Sequence, residues 1–153
     1  MRRATTVIAA ERWDAASAID SVTLDADDRH RRRIVLTGDR GSVFMLDLPQ
    51  ATPLRNGDGL VLDDGAIVCV NGKPESLIEI CAPTAHCLAR LAWHLGNRHT
   101  DVQLVGERLR IRRDHVLEHM LRGLGAQLTL VNAPFDPEPG AYTSSHSTGS
   151  ERV

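Results

Sequence analysis

Ser76-Leu77-Ile78-Glu79-Ile80-Cys81-Ala82-Pro83-Thr84-Ala85-His86-Cys87-Leu88-Ala89-Arg90-Leu91-Ala92-Trp93-His94-Leu95-Gly96-Asn97 switches the apolar spacing of the chain from that of a strand to that of a helix. Ser76–Ala82 predicts a strand. Pro83 and Thr84 then open a helix whose apolar positions are Leu88, Leu91, Ala92 and Leu95, with Gly96-Asn97 as its stop. Working downstream, Val102–Val105 and Arg108–Arg112 form a hairpin around Gly106-Glu107. Asp114 caps a second helix carrying Val116, Leu117, Met120, Leu121 and Leu124, and Gly125 ends it. Gln127–Val131 is the last strand. The order βαββαβ is that of a ferredoxin-like split βαβ fold.

Upstream the pattern is different. Short alternating or β-branched runs at Thr5–Ala9, Ser21–Asp25, Arg31–Thr37, Val43–Leu48, Leu60–Leu62 and Ala66–Val70 predict strands. Turn chemistry separates them, at Asp27-Asp28, Gly38-Asp39-Arg40-Gly41, Asn56-Gly57-Asp58-Gly59 and Asp63-Asp64-Gly65. Beyond Asn132 come three prolines, Pro134, Pro137 and Pro139, and then a Ser/Thr-rich end with too little apolar surface to offset the entropy of ordering it. The chain therefore reads as α+β, with a small all-β domain over residues 1–72, a ferredoxin-like domain over 73–142 and a disordered tail over 143–153.

Composition excludes several classes of function. Only five aromatics are present among 153 residues (Trp13, Phe44, Trp93, Phe135 and Tyr142), too few for a base-stacking platform. The formal charge of −2 gives no general attraction to a polyanion or an anionic membrane. No apolar run approaches the roughly 20 residues that cross a bilayer, and the N-terminus lacks a signal-length apolar core, so a cytoplasmic location is expected, with no nucleic-acid or membrane partner. Cys69, Cys81 and Cys87 are odd in number and match no metal-ribbon spacing; they read as small, partly buried thiols.

Histidine, a common ligand for borderline divalent metals, is the remaining signal. His94 and His99 flank the Gly96-Asn97 stop, and five residues of continuous helix would turn them about 140° apart. Either they serve different sites or the helix has ended at Gly96. The Gly-Asn stop favours the second, leaving His99 on an irregular exposed segment. His115-Val116-Leu117-Glu118-His119 matches the HxxEH pattern of zinc peptidases, in which the glutamate polarises a water. A small zinc-dependent hydrolase is thus an alternative, although fewer than forty residues follow to supply a third ligand and a cleft. His86, beside Cys87, points about 100° away from it and reads as structural or solvent-facing. The run Arg29-His30-Arg31-Arg32-Arg33 supports either pairing with Asp25, Asp27 and Asp28 across a turn or, in a non-metal adaptor, docking of an acidic partner.

One chain offers too few converging ligands for a closed site, but an exposed imidazole near a two-fold axis is duplicated by the second subunit. Such an open site suits release of the metal.

Three segments carry a family resemblance: Trp93-His94-Leu95-Gly96-Asn97-Arg98-His99, Leu109 through Leu121, and Pro134-Phe135-Asp136-Pro137-Glu138-Pro139-Gly140-Ala141-Tyr142. Together with the β-rich first half they resemble the UreE family of urease accessory proteins, nickel metallochaperones of urease maturation. The resemblance implies a peptide- or partner-binding β domain, a metal-binding ferredoxin-like domain and a homodimer formed through the latter. It implies that His99 is an interfacial Ni²⁺ ligand given by both subunits, that His94 is a neighbouring histidine, and that His115 is a peripheral ligand. The companion of that peripheral histidine is here Arg113, a cation that would repel a metal. Many members end in a histidine-rich run, whereas this tail has only His146, which could reach back to the interfacial site. Delivery would be to the urease apoprotein and its accessory GTPase, with Zn²⁺ or Cu²⁺ as competing ions.

Overall fold

The computed structural model describes residues 1–140, which fold as two units, 1–73 and 74–138. In the first, strands β1 (Arg2–Ile8), β2 (Asp20–Leu24), β3 (His30–Thr37), β4 (Val43–Pro53), β5 (Gly59–Leu62) and β6 (Ile67–Gly72) form one sheet in the order β2-β6-β5-β1-β4-β3. β1 runs parallel to β4 and β2 parallel to β6, and the other pairings are antiparallel. Alternate residues Phe44, Leu46 and Leu48 of β4 point into a core with Ala4, Leu36, Leu60, Val68 and Val70.

Two features of this unit were not predicted. Short 3₁₀ turns occupy Ala10–Arg12 and Ala15–Ser17, and between them Trp13 donates from its indole nitrogen to the Gly57 carbonyl at 3.1 Å. The buried carboxylate of Asp20 accepts from the backbone of Ser21, Arg40 and Ser42, anchoring the turn before β4. Burial pushes this carboxyl up, but the N–H groups of Arg40, Ser21 and Ser42 outweigh it and hold the pKa at about 2.

The basic run divides in a way its sequence did not disclose. Arg29 is only 2% exposed and donates to the carbonyls of Leu24 and Leu54, so it is a structural tie and unavailable for docking. Arg31 pairs with Asp28, as the turn reading expected, whereas Arg33 pairs with Asp47 of the next strand. His30, Arg31, Arg32 and Arg33 are exposed along β3, an outer strand of the sheet.

The second unit contains β7 (Pro74–Cys81), α1 (Ala85–Asn97), β8 (Gln103–Val105), β9 (Arg108–Arg112), α2 (His115–Gly123) and β10 (Gln127–Pro134). Its sheet is antiparallel throughout in the order β10-β7-β9-β8, the ferredoxin-like arrangement. Ile78, Ile80, Leu109 and Ile111 face the helices and pack against Leu91, Leu95, Leu117 and Leu121. The opposite face carries an ion-pair ladder in which buried Glu79 accepts from Arg108 at 2.7 Å and Arg110 at 3.0 Å. β10 runs three residues beyond its predicted end because Asn132, Ala133 and Pro134 still oppose Ser76, Glu75 and Pro74. The following residue, Phe135, is fully buried, so the proline-rich stretch does bury apolar surface at its start. The predicted disorder over 143–153 concerns residues outside those described.

Candidate metal-binding end of the second unit

β7 and β9 are antiparallel, and each is followed by a helix that returns along the sheet. The end of α1 and the start of α2 therefore lie at the same end of the unit, which brings His99 and His115 to one side. Cys81 and Cys87 belong to the other end, since Cys87 is ten helical residues, about 15 Å, from Asn97. Cys87 there contacts the Leu124 carbonyl, and Cys81 lines a cleft of about 340 Å³ with Thr84, Leu88 and Arg108.

α1 starts where the sequence indicated, with the Thr84 hydroxyl accepting from the Cys87 N–H at 3.0 Å. Its end differs. Gly96 is inside the helix, and the reversal falls at His99, whose φ is +57°. The Thr100 N–H donates to Leu95 O at 3.1 Å and the His99 N–H to Gly96 O at 3.0 Å. These are the 6→1 and 5→2 bonds of a left-handed helix cap, a position that glycine normally fills. Among the described residues His99 is the one non-glycine with positive φ. It is exposed but conformationally fixed, rather than on an irregular segment. His94, one turn earlier, is half-buried, and its ring meets the Trp93 indole edge-on at 5.1 Å.

His115 is the exposed first residue of α2, behind Asp114, whose carboxylate accepts from the Leu117 N–H. Glu118 is buried and accepts from the Arg113 guanidinium at 3.2 and 3.3 Å and from the Asp114 N–H at 2.8 Å. Arg113 holds its carboxyl below the usual range. A carboxylate engaged in this way caps the helix and cannot serve as a water-activating base, so the HxxEH run is a local structural device. His119 is exposed on the following turn. Among the described residues no three His, Cys, Asp or Glu side chains converge on a metal position. His146 lies outside the described residues.

Comparison with known proteins decides the family. Residues 3–71 match the model of the UreE urease accessory protein N-terminal domain, and residues 75–152 that of its C-terminal domain. This chain belongs to the UreE family. Relatives described as urease accessory protein UreE include one from Bradyrhizobium sp. (strain BTAi1 / ATCC BAA-1182), 57% identical over 150 residues, covering 97% of this chain and 72% of the relative. Another, from Chelativorans sp. (strain BNC1), is 46% identical over 149 residues, covering 97% of this chain and 92% of the relative. UreE proteins are accessory proteins of urease maturation and not enzymes, which removes the hydrolase alternative. No helix among the described residues is long and apolar enough to cross a membrane.

The sequence reading missed the Glu118–Arg113 pair and the strap formed by residues 135–138, in which the Phe135 ring lies 4.8 Å from the Arg112 guanidinium, the Asp136 N–H donates to Gln103 Oε1 and the Glu138 N–H donates to Val102 O. For the strap a signal was available: one aromatic among prolines, opposite the alternating arginines of β9, has a guanidinium to stack on.

Proposed function

We propose that this UreE protein is a nickel metallochaperone, binding Ni²⁺ through the His99 side chains of two copies and delivering it in the cytoplasm to the urease apoprotein and its accessory GTPase. The observation that carries this reading is the left-handed backbone of His99. A residue held where glycine would be less strained is tolerated when its side chain is needed, and such outliers concentrate at functional positions. An imidazole on a fixed, exposed corner is presented to a second molecule without a further cost for ordering the backbone.

Two further observations support a shared site. The described residues of one chain bring too few ligands together, and each helix of the second unit exposes a large apolar side chain, Trp93 at 64% and Val116 at 69%. Paired copies would duplicate His99 and cover such surface. His94 and the tail residue His146 are the additional ligands, and neither binds as a thiolate would, so the ion remains exchangeable. His115 is a weaker peripheral candidate, because the residue two positions before it is Arg113, a cation paired with Glu118 and not a second ligand.

Calorimetric titration with Ni²⁺, with molar mass measured alongside, tests the reading. The expected result is a dimer with one tight ion per two chains, abolished by His99→Ala. Retention of that tight site in a folded His99→Ala protein would refute it.

A further inference from the structure

The backbone around His99 is held from two sides. Upstream, the Thr100 N–H on Leu95 O and the His99 N–H on Gly96 O close α1. Downstream, Asp101 Oδ2 accepts from the Arg112 guanidinium at 3.1 Å, and Val102 O accepts from the Glu138 N–H at 2.7 Å. Carried on by two residues, the β8–β9 register that pairs Gln103 with Arg110 sets Asp101 opposite Arg112 on one face of the sheet. Arg112 is itself braced. Its Nε donates to Glu75 at 3.2 Å, and the buried Phe135 ring lies against the guanidinium, 4.8 Å from the ring centroid.

We infer that Arg112 is a positioning residue for the metal ligand: by holding Asp101 to the sheet it keeps the strained cap at His99 closed. The inference rests on the proposed reading of His99 as a Ni²⁺ ligand. A left-handed residue other than glycine persists when its surroundings over-determine it. α1 does not do so by itself. Helix ends fray, and Gly96, Asn97, Arg98 and His99 are all exposed, so burial holds little of this last turn in place. With Asp101 anchored, Thr100 alone separates the fixed point from His99, and the reversal has no slack in which to unwind. Sharing the ion between two copies magnifies the effect. A site formed in a fraction of the molecules binds with its affinity reduced by that fraction, and each copy contributes the fraction once. If losing the anchor leaves the cap closed about a third of the time, a two-copy site weakens about tenfold.

Asp101→Ala, Arg112→Gln, Arg112→Lys and Arg108→Gln, each in the full chain, test this through two readings. One is hydrogen exchange of the Thr100 amide in the metal-free protein; the other is titration with Ni²⁺, with the dimer fraction recorded. The Asp101 side chain is 60% exposed, so Asp101→Ala guards against a folding defect in Arg112→Gln. Arg108→Gln removes an ion pair of the same face, to Glu79, and leaves the residues after His99 untouched. The expected outcome is that Asp101→Ala and Arg112→Gln strip the Thr100 amide of most of its protection and weaken the tight site about tenfold. Arg112→Lys, which keeps a cation opposite Asp101, should restore most of both, and Arg108→Gln should change neither. Unchanged Thr100 exchange in Asp101→Ala and Arg112→Gln would overturn the inference, as would faster exchange beside an unchanged affinity. An equal loss in Arg108→Gln would overturn it too, by making these arginines a stabilising array without a special place for Arg112. Survival of the tight site in His99→Ala, with Thr100 deprotected in Arg112→Gln, would instead refute the nickel reading and leave the lock on the cap standing.

Discussion

His99 and Gly125 occupy the same position in the same helix cap, one closing α1 and the other α2. Gly125 has φ +94°, and the Ala126 N–H bonds to Leu121 O and the Gly125 N–H to Arg122 O, as Thr100 and His99 bond at the end of α1. One cap follows the steric rule and the other breaks it with an imidazole. The left-handed conformation costs an L-residue roughly 1–2 kcal/mol, partly offset by the greater unfolded-state entropy of glycine.

His99→Gly should therefore leave the metal-free protein as stable as before or up to about 1 kcal/mol more stable, while losing the tight Ni²⁺ site. Gly125→Ala should lose about 1 kcal/mol. Thermal unfolding in the presence of a chelator reads both. A His99→Gly protein that unfolds several degrees earlier would show that the side chain has a packing role.

Glu118→Ala should destabilise the protein by about 2 kcal/mol, because it strips the Asp114 N–H of its acceptor and Arg113 of its partner. Urea unfolding measures this. Nickel affinity of the dimer that remains folded should be little changed, in contrast to His99→Ala.

Arg113→His should create a second, weaker metal position by placing an imidazole beside His115 in place of a cation, and should also lower stability through loss of the Glu118 pair. A titration that still fits only the wild-type site would leave His115 without a metal role.

Acid should destabilise the protein through Asp20, Glu79 and Glu118, whose folded pKa values lie below their ordinary ones. For a depressed carboxyl the stabilisation is complete above the ordinary pKa and is lost as pH falls through the folded one. For Asp20 the loss lies between its ordinary 3.8 and about 2. Asp20→Asn should flatten the chemical-unfolding stability curve in that window.

Nickel binding should weaken as the medium is acidified from neutrality, since each ligating imidazole must be free of its proton. With two His99 copies bound, the limiting slope approaches about two protons per ion. Alkylation of Cys69, Cys81 and Cys87 should leave the site intact. Loss of binding on alkylation would reassign it to thiolates.

The second unit was largely legible in the sequence because its signals are local: Thr84 and Asp114 cap the helices as residue type dictates, and the apolar spacing specifies the faces buried against the sheet. Gly96 misled because glycine at a helix end ordinarily marks the reversal. The bonds that close α1 are instead made by Thr100 and His99, and only coordinates reveal which residue carries the positive φ. Arg29 was illegible for a different reason. Its burial depends on carbonyls at Leu24 and Leu54, the second 25 residues away, and no charge pattern reports such a partner. Phe135 was hidden by its proline-rich neighbours, which carry the compositional signature of a loose end while one ring does the anchoring.

The arginines along β3 bear on how the molecule assembles. An outer strand offers free backbone groups to any second strand, and two copies meeting there would oppose Arg31, Arg32 and Arg33 to their own likenesses. Like charges at sheet spacing repel, so zippering of the first units into fibres is disfavoured even when a cell makes the protein in quantity. Pairing along this strand therefore does not compete with the association through the second unit that the proposed shared ion requires.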